Sequence, residues 1–280
     1  MKIRRTINIY FSPTGETAGV GRVFCARIAE KLGVPVENID ITLPSERRGT
    51  YGFGEEDLLV LAVPTYAGRV PNKIEPYLRG MFRAEGSPCV TLVTFGNRAF
   101  DSSLAELADI AWKSGARVIA GGAFAARHAF SDLVGEGRPS GPDREMMETM
   151  AENTAQKVLD ACESDDITSP EELRGSDEKP LKIDNYYVPL TETGQRAVFL
   201  KAKPKVDTGR CVGCGTCVRS CPMGAIAEDI LSTPGTCIKC QACVRKCPAG
   251  ARYFDDEAFL SHVRMLERNY VRRTENVVYI

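Results

Sequence analysis

A repeated cysteine pattern constrains this chain of 280 residues more than any other feature. Eight of the eleven cysteines lie between Cys211 and Cys247, and each group of four reads C-x2-C-x2-C-x3-C-P. Aligning residues 207–226 with 233–252 gives identity at ten of twenty positions. Such a dense, duplicated cluster indicates metal rather than disulfides. It predicts a module with pseudo-twofold symmetry and two similar metal sites.

The spacing indicates which kind of metal site this is. Three thiolates at two-residue gaps can bind three corners of an iron–sulfur cube, and the fourth cysteine lies too far along to close the same cube. We therefore predict two crossed ligand sets, Cys211, Cys214, Cys217 and Cys247 in the first, and Cys237, Cys240, Cys243 and Cys221 in the second. Zinc is the alternative, but structural zinc sites favour two cysteine pairs, often with histidine, and both histidines lie outside the module.

On these cysteines and the two Cys-Pro pairs, residues 205–254 resemble the bacterial two-[4Fe–4S] ferredoxins. The resemblance implies two [4Fe–4S] clusters in a small α+β domain, which we place at 201–255. After it, residues 256–280 show apolar positions on one helical face and then a β-like run. We expect this C-terminal helix and tail to pack on one of the domains.

The N-terminal half alternates apolar runs with helical patterns. Strands are predicted over 7–11, 34–41, 57–63, 89–95 and 117–124, and helices over 17–32, 72–81, 101–114 and 143–162. This alternation predicts an α/β domain over 1–162 with a doubly wound, five-stranded parallel sheet. An acidic linker and connecting segment follow at 163–200, and we expect the linker to act as a tether.

The loop after the first predicted strand has the composition of a phosphate site. Hydroxyl groups and consecutive backbone N–H groups at a helix N-terminus bind phosphate. The loop has no lysine and does not fit the spacing of a nucleoside-triphosphate loop, although a monophosphate needs only such neutral donors. A simple capped helix start is the alternative. The candidate residues are Ser12, Pro13, Thr14, Gly15, Glu16 and Thr17.

Two further loops should converge on this one, because ligands of doubly wound sheets bind at the carboxyl ends of the strands. Tyr66 and Phe100 are candidates to stack on a flat ring. His128 is either a group above that ring or an ordinary surface histidine. Arg69 and Arg98 are either partners of an anionic ring or exposed loop charges. The candidate residues of the two loops are Pro64, Thr65, Tyr66, Ala67 and Gly68, and Thr94, Phe95, Gly96, Asn97, Arg98, Phe100 and Asp101.

With these loops, residues 1–162 resemble flavodoxin, whose cofactor is FMN. The whole order of segments is similar to the ferredoxin–flavodoxin fusion proteins of anaerobic microbes. That resemblance implies FMN, two [4Fe–4S] clusters and electron transfer, but no particular substrate. We weigh two functions, an electron relay between clusters and FMN within one chain, and a reductase that acts on an organic substrate or metal centre at the flavin. Whether the protein is an enzyme stays open, and a redox partner protein is expected.

Charge and hydropathy exclude several other partners. A formal net charge of −1 argues against nucleic acid as the main partner. No apolar run approaches the length of a membrane span. The early pair Arg4-Arg5 precedes too short an apolar segment for an export signal, so we expect a cytoplasmic protein. Gly19 and Gly21 lie within a helix rather than at a strand–helix turn, which makes NAD(P) binding by this chain unexpected.

Overall fold

The computed structural model of the chain describes residues 2–47, 49–164, 168–176 and 179–280, and for 162–164 it describes the backbone only. Strands and helices alternate through the first half. The strands are β1 (Arg5–Tyr10), β2 (Val36–Asp40), β3 (Tyr51–Phe53), β4 (Asp57–Pro64), β5 (Phe82–Ala84), β6 (Pro88–Phe95), β7 (Arg117–Ala125), β8 (Lys205–Val206), β9 (Arg252–Tyr253) and β10 (Val277–Tyr279). The helices are α1 (Glu16–Leu32), α2 (Glu75–Met81), α3 (Ser103–Lys113), α4 (Gly141–Ser164), α5 (Thr216–Arg219), α6 (Ala242–Arg245) and α7 (Glu257–Asn269).

The main sheet has six strands in the order β10-β7-β6-β4-β1-β2. The five strands from the N-terminal half run parallel to one another. Counted from the β2 edge, these five strands lie in the order β2, β1, β4, β6 and β7. The second strand of the chain thus lies outside the first, which is the flavodoxin-like order of a doubly wound fold. The predicted fold class is confirmed. The order reverses between β1 and β4, so the ligand site of such a fold is expected beside β1.

The sixth strand comes from the β-like run of the C-terminal tail, and its pairing with the sheet was not predicted. β10 pairs antiparallel with β7, with Val278 opposite Gly122. A strand at a sheet edge presents unpaired N–H and C=O groups, and the tail supplies partners for those of β7. Alternation of elements in the first half carries no sign of this strand, because the whole cysteine-rich module separates it from β7 in sequence.

Side-chain hydrogen bonds hold the tail at the carboxyl edge of the sheet. The amide of Asn97 donates to the carbonyl oxygen of Tyr270 at 2.7 Å. Arg138 and Asp143 form a buried ion pair at 2.7 Å, and Asn276, just before β10, donates to Asp143 at 2.8 Å. The last residues of the chain are therefore bonded to the loops after β6 and β7.

Helices cover both faces of the sheet. All eight residues of β6 are buried, as expected of a strand with helices on either side. α1 and α4 pack on one face through Phe24 and Met150, and α2 and α3 pack on the other through Leu78 and Leu107. Among the helices that the structure describes, none is long and apolar enough to cross a membrane.

Gly21 lets α1 approach β1 closely. A Cβ atom at this position would lie 2.6 Å from Oδ1 of Asn8, too close for any larger residue without a shift of that side chain. This glycine therefore serves the packing of the helix on the sheet.

Parts of the connecting segment after α4 pack on the sheet domain. Leu173, in a 3-10 helix over Glu171–Leu173, is buried in the core on the α3 face. The N–H of Tyr187 donates to the carbonyl oxygen of Ala67 at 2.8 Å. The acidic composition predicted a free tether, but burial of apolar side chains docks the described part. Residues 165–167 and 177–178 of the predicted linker lie outside the described residues.

The cysteine-rich module sits over the carboxyl edge of the sheet. β8 and β9 form a short antiparallel pair, and α5 and α6 are single turns related by the sequence repeat. Arg245 on α6 donates to the carbonyl oxygen of Ala129 at 3.1 Å and pairs with Asp132 in the same loop. Arg47 donates to the carbonyl oxygen of Pro222. The module thus contacts the loops that follow the parallel strands.

Candidate functional site

The loop between β1 and α1 has the geometry of an anion site. Gly15 lies at φ 102°, a conformation that favours glycine, and α1 begins at the next residue. The hydroxyl of Ser12 accepts the N–H of Ala18 at 2.9 Å. The N–H groups of Glu16 and Thr17 have no partner within the helix, because the first amides of a helix lack one. They are the kind of donors that bind phosphate.

The loop after β4 turns back tightly on itself. Tyr66 and Arg69 exchange two backbone hydrogen bonds, of 2.8 and 3.1 Å. Between them Ala67 and Gly68 have positive φ values of 50° and 78°. A Cβ atom on Gly68 would lie 2.3 Å from the carboxylate of Asp101. The loops after β4 and β6 therefore pack directly on each other.

The end of β6 joins the first loop to the loop after β7. The hydroxyl oxygens of Thr17 and Thr94 are 2.6 Å apart. A Cβ atom on Gly96 would lie 2.2 Å from the ring of His128, so only glycine allows this approach. Four loops thus meet at the carboxyl edge, next to the point where the strand order reverses.

The loops enclose a cavity of about 240 Å³. Of the eighteen residues proposed from the sequence for cofactor binding, thirteen line this cavity. They are Pro13, Thr14, Glu16, Thr17, Pro64, Thr65, Tyr66, Ala67, Gly68, Thr94, Phe95, Gly96 and Arg98. The structure thus brings together three loops that are distant in sequence.

Five proposed residues lie outside the lining, namely Ser12, Gly15, Asn97, Phe100 and Asp101. Ser12 and Gly15 shape the first loop, and Asn97 holds the tail. The ring of Phe100 packs on Phe95, with centroids 5.7 Å apart, and not in the position expected of a stacking ring. Asp101 pairs with Arg98.

Most of the remaining lining comes from segments without a recognisable motif. The exceptions include His128, which the sequence analysis considered, and Cys240 with its neighbours Ile238 and Lys239 in the cysteine motif. Tyr187, Pro189 and Phe199 belong to the connecting segment, and His262 belongs to α7. No local signal marks these residues, because only packing brings them to the cavity. The remaining lining residues are Ala99, Ala126, Arg127, Ala129, Phe130, Ile238, Lys239 and Leu266.

The two arginines considered for an anionic ring have different surroundings. The guanidinium of Arg98 lies 3.9 Å from the ring centroid of Tyr187, and Arg98 lines the cavity. Arg69 instead contacts the buried carboxylate of Glu106 at 2.6 Å and is not part of the lining. Of the two arginines, Arg98 therefore lies at the cavity and Arg69 does not.

Two imidazoles, those of His128 and His262, line the cavity as opposite neutral tautomers. The N–H of Phe130 donates to Nδ1 of His128 at 3.1 Å, which places the ring proton on Nε2. Nδ1 of His262 lies 2.9 Å from the carbonyl oxygen of Leu190, which places its proton on Nδ1. Burial, followed by nearby positive charges, lowers the pKa of His128 to about 3, and burial also lowers the pKa of His262. Both rings are neutral at pH 7.

The eight clustered cysteines surround two separate, smaller cavities. Cys211, Cys214, Cys217 and Cys247 line one, and Cys221, Cys237, Cys240 and Cys243 line the other. Each cavity thus combines three cysteines of one repeat with the fourth cysteine of the other, as in the ligand sets proposed above. Across the described ranges, no group of three or more histidine, cysteine or acidic residues is arranged around a single metal ion.

The backbone around these cysteines fits a cluster ligated by thiolates. Between the first three cysteines of each half, the chain takes left-handed conformations, with φ 68° at Gly213 and Gly215, and 55° and 63° at the equivalent Lys239 and Gln241. Alternation of this kind turns successive N–H groups toward one side and forms an anion-binding concavity. Lys239 and Gln241 in the second half adopt the same left-handed conformation as Gly213 and Gly215 in the first, although it is strained for residues other than glycine.

Backbone donors also reach the fourth cysteine of each half. The N–H of Ala225 donates to Sγ of Cys221 and the N–H of Ala251 to Sγ of Cys247, both at 3.2 Å. Although burial acts in the opposite direction, backbone hydrogen bonds lower the pKa of Cys247. Such bonds favour the thiolate, which is the form that binds metal.

The two cysteine sets differ in exposure. In the first set Cys214 is exposed, and the neighbouring Val212 is 70% exposed. In the second set Cys240 and Cys243 are buried, and burial raises the pKa of each to about 12. The first set therefore reaches solvent through Cys214, while its Cys217 is buried.

The second set shares a wall with the large cavity. Cys240 lines both the second cysteine cavity and the cavity between the loops, together with Ile238 and Lys239. Burial, followed by the charges of Cys240 and Cys237 as thiolates, holds the pKa of Tyr66 well above its usual value. Tyr66 of the β4 loop lines the same cavity as Cys240.

Comparison with protein-family models identifies both halves of the module. Residues 204–227 and 234–250 each match a model described as a 4Fe-4S binding domain. The two matches imply two [4Fe–4S] clusters, in agreement with the cysteine geometry. A comparison with curated proteins finds no match.

Similar solved structures cover the N-terminal half. A flavodoxin from the domain Archaea has 15% identity and a TM-score of 0.42, with 55% of this chain and 99% of that chain covered. A short-chain flavodoxin associated with a PDU bacterial microcompartment has 17% identity and a TM-score of 0.39, with 56% and 99% covered. Rubredoxin oxygen:oxidoreductase from Desulfovibrio gigas has 16% identity and a TM-score of 0.40, with 57% and 38% covered. The fold assignment itself rests on the strand order.

Proposed function

We propose that this chain transfers electrons between two [4Fe–4S] clusters and one FMN held in the same polypeptide, with a second redox protein as external partner. One observation carries the proposal. Cys240 belongs to the second cysteine set and also lines the cavity formed by the loops after β1, β4 and β6. The proposed cluster site and the proposed FMN site are therefore separated by a single residue layer.

The residues of the large cavity suit FMN. The hydroxyls of Thr14 and Thr17 and the N–H groups of Glu16 and Thr17 would hold its terminal phosphate, without the lysine that a triphosphate loop requires. Tyr66 and the backbone of Ala67 and Gly68 would hold the flat ring. The site adjoins the point of order reversal, where folds of this strand order hold FMN.

The crossed cysteine sets would hold the two clusters. Clusters exchange single electrons and FMN takes up one or two, so the combination couples one-electron carriers to a two-electron reaction. Cys217 of the first set packs with Cys243 of the second in one apolar cluster. The two sets therefore adjoin each other, with Cys214 of the first set at the surface and Cys240 of the second at the large cavity. The exposed first set would face the redox partner.

We expect cluster–flavin exchange to occur within one molecule. The connecting segment and the module are docked on the sheet domain, so no encounter between molecules is required. In stopped-flow reduction of the anaerobic holoprotein by dithionite, cluster and flavin absorbance should relax together after the first electrons enter. The rate constant of that relaxation should stay the same over a tenfold range of protein concentration.

A matched control distinguishes electron transfer to the flavin through the clusters from direct reduction of the flavin by dithionite. Cys221→Ala is expected to remove the cluster next to the cavity and to slow flavin reduction to the rate seen without any cluster. A relaxation rate that rises in proportion to concentration would show transfer between molecules. The absence of any exchange would contradict the relay itself.

The two neutral imidazoles favour a second candidate, a reductase for a small organic acceptor that enters the same cavity. His128 keeps a proton on Nε2 at the cavity wall, where it can bind a developing negative charge on such an acceptor. With a soluble naphthoquinone as probe, His128→Phe should lower turnover while leaving cluster–flavin exchange unchanged. Because burial lowers the pKa of His128 to about 3, the wild-type turnover should not change through pH 6.5. Equal turnover in the phenylalanine variant would exclude this role.

A further inference from the structure

Arg252 is a buried cation beside the first cysteine set. Its side chain, on β9, is 3% exposed. Nη2 donates to Sγ of Cys217 at 3.3 Å and also to the carbonyl oxygen of Ile230. The guanidinium therefore contacts the first cysteine set directly.

Part of this guanidinium has no partner. Within the part of the chain that the structure describes, Nε and Nη1 of Arg252 are buried and make no hydrogen bond. A buried charge with orphaned N–H groups costs free energy of folding, and arginine cannot lose its charge to avoid that cost. Arg252 also lines the cavity of the first cysteine set. An anionic group in that cavity would offset the cost.

The internal repeat provides a comparison within the same molecule. It aligns Arg252 with Ile226, the last position of each half. Ile226 is 6% exposed and lines the cavity of the second cysteine set. The equivalent position thus presents a cation to the first cavity and a hydrocarbon side chain to the second.

We propose that Arg252 is a positioning and tuning residue that raises the reduction potential of the cluster held by Cys211, Cys214, Cys217 and Cys247 above that of the other cluster. The proposal rests on the two clusters of the proposed function but not on FMN. Reduction adds one negative charge to a cluster, and a buried cation stabilises that charge with little screening by water. Hydrogen bonds to cluster sulfur act in the same direction.

The consequence concerns where an electron resides in the module. Cys214 of the first set is exposed to solvent and Cys240 of the second lines the large cavity, so the two ends of the module are not equivalent. Arg252 biases an electron shared by the two clusters toward the exposed set, where an external partner docks. The repeat alone would leave the two cluster environments alike.

The test is a redox titration of the full chain followed by EPR, with Arg252→Ile as the main variant because isoleucine occupies the equivalent position of the other half. Cys221→Ala and Cys247→Ala backgrounds assign the signals to the two sets. We expect the one-electron reduction equilibrium of the first cluster to fall at least tenfold, which is 59 mV. The second cluster should shift less.

Two matched variants separate tuning from structural support. Arg252→Lys keeps the charge and should restore most of the lost potential. Arg219→Ile removes another arginine beside the first set, whose Nη2 donates to the carbonyl oxygen of Cys214 at 2.9 Å. Arg219 is exposed to solvent, so water screens its charge, and its removal should change the equilibrium less than about threefold.

Iron and labile sulfide content decide which variants are compared. If Arg252→Ile loses the first cluster, Arg252→Gln is titrated instead. An unchanged separation between the two potentials in a neutral variant that holds both clusters would overturn the proposal. Retention of the first cluster by the lysine variant alone would make Arg252 a structural residue and would also overturn it. The titration needs no flavin, so failure of cluster–FMN exchange would leave its outcome unaffected.

Discussion

Replacing Cys247 by alanine is expected to remove the cluster of Cys211, Cys214 and Cys217, although Cys247 follows the other three cysteines in sequence. The reason is the crossed arrangement, in which Cys247 lines the first cysteine cavity. The anaerobically purified variant should keep about four of the roughly eight irons of two cubes. Iron and labile-sulfide analysis, with EPR of the reduced protein, measures this loss.

The mirror variant and a distant cysteine provide the controls. Cys221→Ala should remove the second cluster and leave the first. Cys25→Ala should keep the full iron content, because Cys25 is buried in the core between α1 and the sheet. If Cys247→Ala instead damages the cluster of Cys237, Cys240 and Cys243, the crossing is refuted. Stoichiometric zinc without labile sulfide would contradict both clusters.

Replacing Thr14 and Thr17 together by valine is expected to release most of the flavin. Each lost hydrogen bond to a charged phosphate costs about 1.5–3 kcal/mol, or roughly 10- to 150-fold in Kd. The two sites are neighbours, so the combined loss should be smaller than the sum. Thr17→Val also breaks the 2.6 Å contact with Thr94 that joins two of the loops. Fluorescence titration of the flavin-free protein with FMN measures the change.

Thr91→Val is the matched control for this loop. Thr91 lies on β6, three residues before Thr94, and its hydroxyl is buried without a hydrogen bond to the described residues. Valine has nearly the same shape, so FMN affinity should be unchanged and the free energy of unfolding equal or higher. Wild-type affinity in the Thr14 and Thr17 double variant would place the phosphate elsewhere. Chromatography of the heat-released chromophore distinguishes FMN from FAD and riboflavin.

The connecting segment is docked on the sheet domain, and this changes how the proposed electron relay would work. A free acidic tether would only raise the effective concentration of one domain near the other. In the structure, Tyr187 bonds to Ala67 in the β4 loop, and Tyr187, Pro189 and Phe199 line the large cavity. The segment thus builds part of the proposed FMN site.

Much of the fold and of the candidate site could be predicted from local patterns in the sequence. The apolar run of β4 identifies a central strand because both faces of a parallel sheet are covered. Three loops, those after β1, β4 and β6, are identified by their place at the ends of strands. Thirteen of their eighteen proposed residues line the cavity. The other five are turned away by contacts that span the chain, such as that of Asn97 with Tyr270.

The sequence by itself predicted the two cysteine sets, the doubly wound fold and the candidate phosphate loop, because each depends on spacing within a few residues or on the period of apolar side chains. The tertiary structure decided which cysteine set adjoins the large cavity, how Tyr187 and His262 complete its wall, and where β10 adds to the sheet. It also decided that Arg252 lies buried against Cys217 while Ile226 occupies the equivalent place. These features depend on which surfaces bury each other across long stretches of chain, and a repeat that is symmetric in its cysteines does not reveal them.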